Sequence, residues 1–233
     1  MRKKGILLLA LGLVIAELSA RGGEPENIQL TFVDHLTAGL IEQDVYVETG
    51  SEKVMRVTPE NKDQYLEKLA YSTNYAVHHD PFGLDHLGPY EKGLPLGFTL
   101  NEWLKASGTA TYICEDGWGV LKARFQNLRP NATYTLWHFF MSAPPTTPFN
   151  GTLDVPLGDR EGTQSVFTTD NNGSAELDIT FEQCLQLSNT QLMSGLAVAY
   201  HSDGKTYGGL PGPFGKATHV QLFAMLPEAD DSN

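Results

Sequence analysis

Cysteine is nearly missing from this chain: Cys114 and Cys184 are the only two among 233 residues. That excludes a fold stapled by several disulfides and leaves room for one bond. Positive charge is also scarce, with 16 Lys and Arg against 28 Asp and Glu, a formal net charge of −12. A chain of that sign is repelled by nucleic acid and anionic lipid, so neither is an expected partner. Long apolar runs are lacking too. Residues 5–16 form the only sustained one, too short to span a bilayer, so no transmembrane segment is expected. No Gly-rich phosphate loop, Ser/His/Asp order or paired acidic motif stands out, which leaves a hydrolase without a candidate site.

What is present begins with Met1-Arg-Lys-Lys ahead of that apolar run, with Ser19 and Ala20 beyond it. A basic start, a short apolar core and a small residue at the cut mark residues 1–20 as a secretory leader. A secreted, periplasmic or cell-surface location is expected, with a retained leader as the lesser alternative. Cleavage removes three cations and one acid, moving the formal charge from −12 to −14. In an oxidising compartment the lone cysteine pair is expected to bond, Cys114 to Cys184; two buried free thiols are the alternative. The bond closes a long loop and is worth roughly 4 kcal/mol in the chain-entropy description.

From residue 109 to 227 the texture is β. Residues 110–114 and 119–126 flank Glu115-Asp-Gly-Trp118, a hairpin signal. Residues 133–141, 164–168, 174–181, 196–200 and 218–226 read as further strands, with Gly/Pro-rich loops over 142–163 and 202–216. The organising stretch is Leu128-Arg-Pro-Asn-Ala-Thr-Tyr134 and the strand that follows. Pro130 fixes its own φ and presses Arg129 into an extended conformation, while Asn131 tolerates turn geometry. Leu128, Pro130 and Tyr134 resemble a tyrosine corner, in which the phenol bonds back to the turn backbone. Beyond it Tyr134, Leu136, His138 and Phe140 alternate with Thr135, Trp137, Phe139 and Met141. Both sets are largely apolar, so both faces of this strand are expected to be covered. Taken alone, His138 reads as a core histidine with a hydrogen-bond partner.

Residues 21–108 read as a mixed α/β extension. Short strands are expected near 28–33 and 44–48. Thr58 and Pro59 open an expected helix over 60–70, with Tyr65, Leu66 and Leu69 on one side. Thr99-Leu-Asn-Glu102 is a capping box for a second short helix, stopped by Gly108. Between them, residues 77–93 form a Gly/Pro/Asp-rich loop carrying His78, His79 and His86 beside Asp80 and Asp85. The composition suits a metal, yet the spacing matches no standard site, and a surface loop packed on the core is the plainer reading. Residues 228–233 are an acidic tail expected to be disordered. Asn-x-Ser/Thr triplets at Asn131, Asn150 and Asn172 fall in expected turns or loops.

The order of strands and loops from residue 109 to 226 resembles the copper/zinc superoxide dismutases, Greek-key β-barrels with two long functional loops. The segment from Leu128 to His138 looks like that family's Gly-Leu corner and His-x-His copper strand. Phe167-Thr-Thr-Asp-Asn-Asn-Gly-Ser-Ala175 resembles its Thr-Ala-Asp-x-x-Gly-x-Ala turn, and Leu187-Ser188 with residues 195–201 its Leu-Ser…Gly…Val-Val-His strand. The resemblance implies a Greek-key β-barrel or sandwich for residues 109–227. The chain departs from the family where metal is held. Leu136 stands at the first histidine of His-x-His, residues 142–163 contain no histidine, and His219 stands at the substrate-guiding arginine.

Two functions follow as expectations. One is a binding or surface module without dismutase chemistry, its partner an extracellular protein or a small ligand. The other is a copper or zinc protein, with redox activity open to it if the metal is copper, in which His138, His201 and His219 converge, with His78, His79 or His86 as an additional ligand.

Overall fold

The computed structural model describes residues 26–39, 45–50, 52–74, 87–146 and 150–229. The leader therefore lies outside the described residues, as do His78, His79 and His86. In chain order the strands are β1 (Glu26–Phe32), β2 (Tyr46–Glu48), β3 (Lys53–Met55), β4 (Leu69–Thr73) and β5 (Tyr90–Thr99). After helix α1 (Leu100–Leu104) come β6 (Ser107–Glu115), β7 (Trp118–Gln126), β8 (Thr133–Ser142), β9 (Leu153–Pro156) and β10 (Val166–Thr168). The last are β11 (Ala175–Glu182), β12 (Leu192–His201) and β13 (Thr218–Met225).

The protein is mainly β, built from antiparallel sheets. One sheet has the order β1-β6-β7-β11 and a second the order β10-β8-β12-β13, with β9 on the β8 edge. Their facing sides alternate as strand geometry requires. Leu30, Phe32, Tyr112, Leu121, Phe125, Ile179 and Phe181 from the first meet Tyr134, Leu136, Phe167, Leu196, Val198, Tyr200 and Leu222 from the second in one core. The outer face of the first sheet is wet, and Arg124–Glu176 and Lys122–Asp178 pair across β7 and β11 there. The outer face of the second sheet is covered. Trp137, Phe139, Met141, Ala197 and Ala199 form a second apolar cluster with Phe223, and Val33 and His35 pack on Phe223. Both faces of β8 are thus buried.

The amino-terminal half differs from the sequence expectation. No α-helix covers residues 60–70. Lys62–Gln64 is a single 3-10 turn, and the chain then enters β4. Thr58 N–H donates to the Asn61 side chain, and after a single four-residue bond from Lys62 N–H to the Thr58 carbonyl the bonds run Tyr65 to Lys62 and Lys68 to Tyr65, three residues apart, so the turn does not continue as an α-helix. Leu69–Thr73 is then drawn into pairing with β2 and β5. The second helix does form, with the capping box Thr99–Glu102, but only over Leu100–Leu104. Strands β2, β3, β5 and β4 close into a small ring. The end of the expected loop over 77–93 belongs to β5, which starts at Tyr90. The expected boundary at residue 108 does not isolate the preceding chain, because β1 pairs with β6 from Glu26 to Phe32. Val47, Val57, Phe98, Leu100 and Trp103 of the ring and its helix join the same core as the sheets. Glu228 and Ala229, expected in a disordered tail, are held at Ser188, and residues 230–233 lie outside the described residues.

Candidate functional site

The sandwich has two unlike ends. β7 runs into the corner at Leu128 and β8 leaves it, so one end carries the corner and the other carries the start of β7 and the finish of β8. At the corner, Arg129 N–H donates to the Tyr134 hydroxyl at 2.9 Å, and that hydroxyl donates to Gln221 Oε1 at 2.9 Å. Gln221 Nε2 in turn donates to the Trp103 carbonyl, which ties the ring and α1 to the sheets. Burial raises the Tyr134 pKa well above the usual phenol range, so it remains a neutral donor. Gly173 closes the corner. Its φ is 75° and a Cβ there would lie 2.1 Å from the Leu128 carbonyl oxygen, so no other residue fits.

The three candidate ligands do not meet. Leu196 pairs with His138 and His201 with Thr133, so these two histidines stand five positions apart along β8 and β12. That is a span of roughly 17 Å, far beyond a shared ion at about 2 Å from each nitrogen. They also face opposite ways. His138 alternates with Tyr134 and Leu136 on the core side, and His201 with Ala197 and Ala199 on the outer side. His219 lies opposite Tyr200 on β13, at the corner end near His201. Among the described residues no group of three or more His, Cys, Asp or Glu is placed to hold a metal. The convergent site of His138, His201 and His219 is therefore corrected. The strand pattern brought all three to the second sheet, but strand parity and register separate them.

Each of these imidazoles has a structural partner. His138 Nε2 lies 2.9 Å from Ser194 Oγ, which lies 2.7 Å from the Gln186 carbonyl. His201 Nε2 lies 2.8 Å from Thr135 Oγ1, which also accepts from Trp137 Nε1. His219 Nε2 lies 3.0 Å from Ser202 Oγ. Burial lowers the pKa of both His138 and His201 to about 4, so both are neutral at physiological pH. In His201 the nearby His219 pushes the same way and Asp203 opposes.

The other end is tied by the disulfide Cys114–Cys184, with Cα atoms 5.5 Å apart. It clamps the β6–β7 hairpin to the segment after β11. The hairpin turn at Asp116 and Gly117 has φ of 49° and 81°, as the Asp-Gly pair predicts. Trp118, the first residue of β7, is held there with its side chain 49 % exposed. It forms one wall of a groove of about 760 Å³ between the β11 edge and the β9 edge. Glu182 and Gln183 stand beside it, and Asp154, Arg160 and Gln164 line the opposite wall. The opposite wall is stiff. Asp159 accepts from Thr163 and Gln164, which lowers its pKa, and Gly209 lets the 202–216 loop approach the Arg160 carbonyl closely. Sequence reasoning used Trp118 only as a turn residue. An unpaired large aromatic directly after an Asp-Gly turn was the available signal.

The chain matches none of the protein-family models, curated proteins or solved structures with which it was compared. Among the described residues no helix is long and apolar enough to cross a membrane.

Proposed function

We propose that this protein is an exported β-sandwich binding module that takes a polyhydroxylated ligand, a saccharide chain, in the groove beside Trp118. The carrying observation is the exposed indole held by a disulfide-clamped hairpin opposite a row of planar polar side chains. A flat indole accepts the C–H face of a sugar ring and excludes water from it. Arginine, carboxamide and carboxylate groups in one groove offer donors and acceptors for ring hydroxyls. Arg160 is the only cation among the lining residues, against Asp154, Asp159 and Glu182, so a neutral ligand fits better than a polyanion.

The leader supports export, and the connectivity supports the superoxide dismutase-like, Greek-key reading. β11 returns past β8, β9 and β10 to lie beside β7, and β12 returns past β9, β10 and β11 to lie beside β8. Returns of this kind, with β9 as an added edge strand, support a Greek-key reading. The proposal includes no dismutase chemistry. The place of the first copper ligand is Leu136, fully buried in the core, and His138 is engaged by Ser194. Titration of the protein with cello- and chito-oligosaccharides, followed by tryptophan fluorescence, tests this. Saturable binding that disappears in Trp118→Ala is expected. No binding across the series, or undiminished binding in Trp118→Ala, overturns the reading.

A further inference from the structure

Trp118 stands between two carboxylates. It opens β7, and it pairs directly with Glu115 of β6 on one side and with Glu182 of β11 on the other. Residues directly opposite each other in an antiparallel pair share a face, with Cβ atoms about 5 Å apart. Both acids therefore flank the indole, and both are exposed, as is Asp116 in the turn. Neither Glu115 nor Glu182 forms an ion pair among the described residues. The cations further along the same face of β7, Lys122 and Arg124, are engaged by Asp178 and Glu176. The one cation of the groove, Arg160, stands on the opposite wall, while Glu182 lines the groove beside Trp118. The indole is thus exposed in a setting of one sign, with like charges facing each other across it and no counter-charge between them.

That setting discriminates among saccharides. A neutral sugar uses the indole and leaves both carboxylates without a counter-charge. A sugar ring that carries an ammonium uses all of them. The aromatic face attracts the cation through its ring quadrupole, and a carboxylate accepts a charge-assisted hydrogen bond from it. We propose that the ring seated on Trp118 is an amino sugar with a free amine, so that the ligand of the groove is a glucosamine-containing chain whose amines are not acetylated. The inference rests on the saccharide reading of the groove and adds the charge of its ligand. Glu182 accepts from the ammonium, and Glu115, on the far side of the indole, adds attraction at longer range. Arg160 repels an ammonium, which directs the amine to the Trp118 wall and leaves the guanidinium to ring hydroxyls. Acetylation of the amine removes the charge and with it the preference.

The test is isothermal titration calorimetry of the whole mature protein at low ionic strength and weakly acidic pH, where the amines carry protons. The ligands are the glucosamine hexamer, the N-acetylglucosamine hexamer, cellohexaose, and hexalysine as a polycation without a sugar. The glucosamine hexamer is expected to bind roughly tenfold or more tighter than either neutral hexamer, with an advantage that shrinks as salt is added. Trp118→Ala is expected to abolish its binding. In the double variant Glu115→Gln with Glu182→Gln the ratio of charged to neutral affinity is expected to fall toward one. Both side chains are exposed, and a urea denaturation curve like that of the parent protein shows the variant folded. Equal affinity for the three hexamers overturns the inference and leaves the saccharide reading standing, whereas no binding by any of them removes both. Hexalysine binding as tightly as the glucosamine hexamer, or a preference undiminished in the folded double variant, reduces the effect to net charge and overturns the inference.

Discussion

The corner end of the sandwich is closed, and the hairpin end is open. At the corner, Tyr134, Gln221 and Trp103 form a chain of hydrogen bonds, and the ring covers what the sheets leave exposed. At the hairpin end a covalent bond replaces that covering, and a large aromatic is left facing solvent. The difference is instructive because both ends belong to the same strands. Where the chain buries its polar groups against an inserted layer, stability comes from packing. Where it leaves a groove, stability has to come from a tie that does not occupy the groove.

The largest effect expected from that contrast is at the open end. Replacing both cysteines, Cys114→Ser with Cys184→Ser, is expected to lower the unfolding free energy by about 4 kcal/mol, read from urea denaturation. A loss within error would show that the hairpin end is already held by its strands.

The next test uses one histidine from each end. Burial holds His138 and His201 at about 4, against an ordinary value of 6.5. Below 6.5 the unfolded chain takes up protons that the folded chain refuses, so their contribution is complete above pH 6.5 and is lost as the pH falls toward 4. About 3 kcal/mol is expected from each. The slope of stability against pH between 6.5 and 4 should therefore flatten by similar amounts in His138→Gln and His201→Gln. If only one flattens it, the two ends are not equally dry.

The smallest change sharpens the closed end. Tyr134→Phe removes the hydroxyl that serves both the Arg129 N–H and the Gln221 side chain. It is expected to reduce stability by about 1–2 kcal/mol, again by urea denaturation. A change near zero would mean that water replaces the hydroxyl without penalty.

The same contrast explains what the sequence made legible. The sheets could be read because Leu121, Ala123 and Phe125, or Ala175, Leu177 and Ile179, alternate with charged residues over a full strand. The Asp-Gly hairpin and the Thr99–Glu102 capping box carry local chemistry that decides their own shape. The ring could not be read in this way. Its strands β2 and β3 are three residues each, and β5 contains Gly93, Pro95 and Gly97, which locally signal a loop. Pairing around the ring decides their conformation, and pairing is not written in a periodicity. The histidines show a related limit. Placing His138, His201 and His219 on neighbouring strands was within reach, but their register was not, and a five-position offset separates a ligand set from isolated core residues.

The central claim is that ligand binds at the open end, beside Trp118. Hydrogen–deuterium exchange of the mature protein with and without saturating oligosaccharide tests it most directly. Slowed exchange at residues 117–119 and 180–183, with the corner at 128–134 unchanged, is the predicted result. Protection confined to the corner or the ring, with the Trp118 hairpin unaffected, would contradict it.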